Sequence, residues 1–399
     1  MLSKEDNERL VRVGPGTAMG AVLRRYWHPI GAAAELDENP IKAVRILGED
    51  LVLYRDQSGT YGLVDRRCAH RRADLSNGFV EKCGLRCSYH GWRYDEKGQC
   101  REAPFDDLVR PDTRFKDKTK LKAYPIQIQA GLVWAYLGPE PAPCLPDWRD
   151  YYERGFQQIT LITIPCNWLQ CQENSIDPVH FEWLHQNWPR SMAGSELPRA
   201  PRHVKVGFDE FEFGFIYRRV LEDIPENELW TVGRACVLPN LLYVGGRFGW
   251  SVPIDDENTL RVSWRSYPLP GKRPFQQERV PYWYPRTKDP ATGAWLTSRL
   301  ENQDVIAMVG QGVIAERMEE RLGESDRGVI MLRKRLFRDI ELVANGSDPT
   351  GLIREPSKNR RLALPGTTRG QPDINEAEGP FAAELPRLWV EHTTPATDP

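Results

Sequence analysis

Cys68-Ala69-His70-Arg71-Arg72 and, after a gap of 16 residues from His70, Cys87-Ser88-Tyr89-His90-Gly91-Trp92 decide how this chain is read. Each stretch brings one Cys and one His. A [2Fe–2S] cluster with two thiolates on one iron and two neutral imidazoles on the other needs one such pair from each of two loops. Imidazole ligation leaves the cluster less negative and raises its potential, so the pattern suits taking an electron from a mild donor and passing it on. The rival for these residue types is a structural Cys2His2 zinc site. Such sites usually open with C-x2–4-C, whereas Cys-x-His opens this one.

At 399 residues the chain exceeds what a small electron carrier needs, and two domains are expected. The formal charge of −2 with no basic block argues against nucleic acid or an anionic membrane surface as partner. The opening Met1-Leu2-Ser3-Lys4-Glu5-Asp6 is polar and no later apolar run approaches a membrane span, so a soluble, cytoplasmic protein is expected. Of the 8 Cys only Cys68 and Cys87 hold ligand positions, and the other six show no disulfide spacing, which fits a reducing compartment. Cys83 lies in a turn-like Glu81-Lys82-Cys83-Gly84 and reads as a bystander thiol.

Three segments follow from the patterning. Residues 1–40 read as helical, with Thr17 capping a helix through Met19, Val22, Leu23 and Tyr26. Residues 41–146 read as a small β domain: strands at 44–46, 51–54 and 61–64 lead into the first ligand loop, and 124–128 pairs with 132–136 across Ala130-Gly131. A proline-rich stretch at 138–143 ends that domain. Residues 147–399 read as a larger α+β domain, with helices over 167–188, 294–318 and 328–345 and strand-like runs in 204–221, 229–247 and 259–267. Beyond Asn345 the chain reads as irregular, with Leu388, Trp389 and Val390 as possible anchors.

A second metal constellation lies in Asn174-Ser175-Ile176-Asp177-Pro178-Val179-His180-Phe181-Glu182-Trp183-Leu184-His185. Two imidazoles and one carboxylate on one face of an iron leave open positions for dioxygen. Five residues separate His180 from His185, about 140° on an ideal α-helix, so the helix has to kink, bulge or restart for both to reach one metal. Pro178 is placed to cause this. The carboxylate is expected from Asp304, which shares an apolar stripe with Leu296, Leu300 and Met308, where a buried acid needs a cation. Glu301 is expected to point away from that stripe.

The two Cys/His stretches resemble the Rieske signature residue by residue. Asn-x-x-Asp-x-x-His-x4-His followed far downstream by Asp is similar to the catalytic domain of Rieske non-haem iron oxygenases. Glu301-Asn302-Gln303-Asp304 with Gln311-Gly312 resembles the phthalate-dioxygenase-like branch, which includes aromatic O-demethylases. The resemblance implies an α+β protein in which a small all-β [2Fe–2S] domain precedes a larger domain with an antiparallel sheet and a mononuclear Fe(II). Cys68, His70, Cys87 and His90 would hold the cluster, and His180, His185 and Asp304 the single iron. Asn174 and Asp177 would belong to the catalytic machinery. The family assembles as trimers in which one subunit's cluster faces its neighbour's iron. There Asp177 would accept hydrogen bonds from His90 across the interface and from His180 within the subunit.

No flavin or nicotinamide fingerprint occurs in the sequence, so a separate flavin/ferredoxin-type reductase, fed by NAD(P)H, is the expected electron source. Oxidation of an aromatic substrate by O2 then has two outcomes. Hydroxylating a methoxy carbon gives a hemiacetal that collapses to a phenol and formaldehyde; adding both oxygen atoms to a ring gives a cis-diol. The run Trp250–Asp256 and the tail length look more like the O-demethylases. For a carboxylated substrate, Arg234 and Arg247 are the candidate binding residues. A pure electron carrier and a zinc-stabilised binding protein remain the rivals from other classes.

Overall fold

The computed structural model describes residues 2–112, 114–194, 198–224, 227–271, 275–366 and 379–393. Short, turn-rich segments in the first third build small antiparallel sheets. Ile41–Ile46, Glu49–Arg55, Tyr61–Asp65 and Ala123–Tyr124 form one four-stranded sheet, and Phe79–Val80, Leu85–Arg86, Arg93–Tyr94 and Cys100–Glu102 form a second. The turn at Asp56 is closed by its own carboxylate, whose Oδ1 accepts the Ser58 and Thr60 amides at 2.9 and 3.0 Å. Between the two sheets Val52, Tyr54, Val64, Leu75, Leu85 and Tyr94 pack around Cys68 and Cys87.

A third sheet joins the two halves of the molecule. Trp27–Ala32 and Ile126–Gln129 flank the wholly buried Leu132–Tyr136, and the expected hairpin forms with Ala130 and Gly131 in the left-handed region (φ 54° and 73°). Trp134 of this sheet meets Trp250 of the large sheet edge-on, with ring centroids 5.2 Å apart. Residues 1–40 therefore contain a strand as well as helices. The helices are Lys4–Val11 and Ala18–Leu23, the second capped by Thr17, whose hydroxyl accepts the Gly20 amide at 3.2 Å. It stops at Leu23, short of Tyr26.

The large sheet has eight strands in the order His203–Phe211, Gly214–Leu221, Arg234–Val237, Leu241–Tyr243, Arg247–Pro253, Thr259–Pro268, Gly155–Ile164 and Tyr282–Trp283. Only its last pairing is parallel. Trp168–Ile176, Leu300–Gly310 and the 18-residue Arg327–Ala344 are its main helices. Two expected helices are cut short. The 167–188 stretch breaks at Asp177 and resumes as a π-helix, Phe181–Asn187, and the 294–318 stretch is helical only over Leu300–Gly310. Arg317, expected in that helix, lies buried in coil against Glu173.

The tail is more regular than expected over Glu384–Thr393, a helix that buries Leu385 and Leu388 against Phe156, Tyr267 and Leu269. Leu388 anchors it, while Trp389 and Val390 face solvent. The remainder of the tail at 367–378 and 394–399 lies outside the described residues. Among the described residues no helix is long and apolar enough to cross a membrane.

Candidate metal centres and active-site cavity

The two Cys/His loops are folded alike. The Cys68 amide donates to Ala73 O and Cys68 O accepts from Arg72, at 2.9 Å each; the Cys87 amide donates to Trp92 O at 2.8 Å and Cys87 O accepts from Gly91 at 3.0 Å. Each turn closes with a residue in the left-handed region, Arg72 (φ 60°) and Gly91 (φ 76°). Both Cys are buried, whereas His70 and His90 lie at the surface with ring centroids 4.6 Å apart. The His70 ring is fixed by stacking on Trp92, 4.5 Å away and 7° from parallel. The Tyr94 hydroxyl lies 3.2 Å from Cys68 Sγ. Burial pushes the Cys68 thiol pKa up, and Cys87 close by raises it further. Two neighbouring buried thiols with two imidazoles at the rim are the donor set that two irons require. Cys83 is exposed, apart from this set.

The second constellation closes as well. One potential ligand atom each from His180, His185 and Asp304 lies within 4.8 Å of the other two. His185 Nε2 is 3.0 Å and His180 Nε2 3.6 Å from Asp304 Oδ1. The π-helix achieves this: its i to i+5 hydrogen bonding widens the turn and brings residues five apart toward one side, reducing the misalignment of an α-helix.

Hydrogen bonds around the triad suit it to holding a cation. Gln303 Nε2 donates to Thr297 O at 2.8 Å, which turns Gln303 Oε1 toward His185 Nδ1, also at 2.8 Å. That bond puts the His185 proton on Nδ1 and leaves the Nε2 lone pair facing the Asp304 carboxylate. Two acceptors at 3.0 Å repel unless a proton or a metal lies between them. Burial would lower the His185 pKa, but Asp304 outweighs it and the net shift is upward. Asn174 Nδ2 donates to Asp304 Oδ1 at 3.3 Å. Asp177 Oδ1 accepts the Val179 amide at 2.7 Å, and its Oδ2 is 3.5 Å from His180 Nδ1. Burial raises the Asp177 pKa, yet contacts with His180 and the local amides hold it below its usual value.

The triad opens on a cavity of about 540 Å³. Arg234 and Arg247, the two sequence candidates, both line it, together with Arg219, Arg261 and Arg265. Glu301, expected to face away, also lines it. Its oxygens pair with Arg265 and with Arg299 (2.6 Å to the latter), and although burial raises its pKa, these arginines and Arg261 bring it down to about 2.

Residues 26–124 match the Rieske [2Fe-2S] domain family. The chain is 51% identical over 368 residues to the 5,5'-dehydrodivanillate O-demethylase oxygenase subunit of Sphingobium sp. (strain NBRC 103272 / SYK-6), covering 92% of this chain and 87% of that protein. The chain belongs to the Rieske oxygenases. A more distant relative is the phthalate 4,5-dioxygenase oxygenase subunit of Pseudomonas putida, 30% identical over 88% of this chain and 89% of that protein. Among solved structures, Pseudomonas putida CBB5 NdmA (a QL mutant with theobromine) shares the fold with a TM-score of 0.58 at 22% identity, covering 84% of this chain and 98% of that one.

As a Rieske oxygenase the protein carries a [2Fe–2S] cluster and a mononuclear iron. It is the terminal oxygenase component of a multicomponent system. Sequence reasoning missed Arg219, Arg261, Arg265 and Glu301 in this Rieske oxygenase's cavity. For two of them a signal existed: Arg261, Ser263 and Arg265 occupy alternate positions of the Thr259–Pro268 strand, hence one face of the sheet, beside the buried Val262 and Trp264.

Proposed function

We propose that this oxygenase O-demethylates a methoxylated aromatic carboxylate, with its metals held by Cys68, His70, Cys87 and His90 and by His180, His185 and Asp304. The observation that carries the reading is the arginine-lined cavity that opens on the triad. Five arginines line it against the acids Asp177, Glu301 and Asp304, two of which lie against the triad histidines and one of which is neutralised by Arg265 and Arg299. The excess positive charge selects an anionic substrate, and a planar guanidinium matches a carboxylate with two parallel hydrogen bonds. The relative that acts on dehydrodivanillate supports the same substrate class.

Bound at these sites, the metals supply electron transfer and dioxygen activation. The chain's own residues do the rest. Arg234 and Arg247 hold the carboxylate and thereby direct the methoxy group toward the triad. Asn174 orients Asp304 and Gln303 orients His185. Substrate filling the cavity displaces water from around the triad. Overall, one oxygen atom enters a methoxy C–H bond, the other leaves as water with two electrons and two protons, and the hemiacetal splits into a phenol and formaldehyde. The working assembly in this proposal is a cytoplasmic homotrimer in which Asp177 links one subunit's cluster to its neighbour's iron; that the six cysteines outside the cluster form no disulfide favours that compartment.

The test is turnover of methoxylated benzoates with a reductase and NADH. One formaldehyde per NADH is expected, with the KM of Arg234→Ala and Arg247→Ala raised about tenfold or more for the acids and little changed for their methyl esters. A cis-diol without formaldehyde, or equal losses for acid and ester, would overturn it.

A further inference from the structure

A π-helix is rarely stable by itself and persists where its surroundings hold it. In this chain the segment Phe181–Asn187 is gripped from three sides by the strands and connection that follow it. The backbone N–H and ring Nδ1 of His203 both point at Glu182 Oε2, at 2.7 and 3.0 Å, with both side chains buried. Asn187 works at the other end: its Nδ2 donates to Glu182 O, and its Oδ1 accepts the Ala200 amide, each at 2.9 Å. From the Gly214–Leu221 strand, Arg219 lies 4.4 Å over the Phe181 ring and donates to Pro178 O at 3.3 Å.

Glu182 is the point where these holds converge. Its carbonyl and its carboxylate are both engaged, and it sits between His180 and His185. Were the segment to relax into an α-helix, His180 and His185 would diverge by about 140°. We propose that Glu182 and Asn187, gripping Ala200 and His203, form a clip that keeps residues 181–187 in π-helical register and so holds His180 and His185 on one iron. Both are positioning residues; neither touches the metal or the substrate. The inference rests on the reading of His180 and His185 as iron ligands.

The experiment uses the full-length protein purified anaerobically with its metals. Iron and acid-labile sulfide per chain are measured with the electron paramagnetic resonance signal of the nitric oxide adduct of the mononuclear Fe(II). Glu182→Ala and Asn187→Asp are each expected to weaken Fe(II) retention roughly 10- to 100-fold while the two sulfides and cluster absorbance persist. Glu182→Gln, which keeps an acceptor for His203, is expected to retain the iron. His185→Ala separates the two readings. If it loses the mononuclear iron while Glu182→Ala and Asn187→Asp keep iron and signal like the parent, the clip is wrong. If His185→Ala itself keeps the iron, the ligand reading falls and the clip with it. Should Glu182→Ala lose cluster sulfide as well, it has not folded, and Asn187→Asp decides.

Discussion

The protonation of His185 is set by an amide that never touches the metal. Gln303 can present its oxygen to the ring because its nitrogen is committed to Thr297 O. Replacing it with Leu removes the acceptor for Nδ1–H without adding bulk, and Fe(II) affinity is expected to fall by about 10- to 100-fold, measured by competition with a chelator. At the other centre, the Tyr94 hydroxyl lies 3.2 Å from Cys68 Sγ, where it would stabilise the charge on a cluster-bound thiolate. Tyr94→Phe should therefore lower the cluster's reduction potential, read by voltammetry, with the sulfide content unchanged. The candidate metal ligands were legible because their spacing is itself chemical information. Gln303 was not, since its partner His185 lies 118 residues away and meets it only once the Leu300–Gly310 helix is docked.

Among elements, the helix Trp168–Ile176 matters most, since it runs into the segment that carries the histidines. It is tied to Arg327–Ala344 by a buried network: Glu173 accepts from Arg317 at 2.7 Å and from Arg333 at 2.6 Å, and Arg333 also holds Glu320. Burial raises the Glu173 pKa, but the two arginines pull it below its ordinary value. A carboxylate with a depressed folded-state pKa stabilises the fold above its unfolded pKa, and that contribution is lost as pH falls through the folded one. Glu173→Gln leaves two buried guanidinium groups short of an anion and is expected to cost about 3–5 kcal/mol at pH 7 in urea unfolding. The deficit should begin to shrink as pH falls below the ordinary carboxylate range, where the unfolded parent takes up a proton, and shrink further until pH passes the depressed folded-state pKa. The helix break near Pro178 was readable from the His spacing. Its form as a π-helix was not, because the groups that hold it come from residues 200–221, outside the local pattern.

Over the whole molecule, the cluster histidines and the catalytic cavity belong to different parts of the chain, joined through the Trp27–Ala32 and Leu132–Tyr136 sheet. His70 and His90 face solvent, where a second copy can meet them. In the proposed trimer, sedimentation should give about three times 45.9 kDa, and a monomer at working concentration would contradict it. Asp177→Asn should then leave both metals bound and the cluster reducible while product formation drops roughly tenfold or more, followed by stopped-flow absorbance and product assay.

By itself the sequence put forward the candidate ligands of both centres and determined the fold class, small antiparallel sheets together with a larger α+β part. These depend on residue types at short spacings and on local periodicity. Only the tertiary structure decided the rest: that the 294–318 stretch breaks after Gly310 to bury Arg317 on Glu173, and that Glu301 turns into the cavity to meet Arg265 and Arg299. It also brought five arginines from four strands to line one cavity. Arg317 lies 144 residues from Glu173, and Arg265 lies 36 from Glu301. A buried charge takes its conformation from its counter-charge, and no local pattern records where that is.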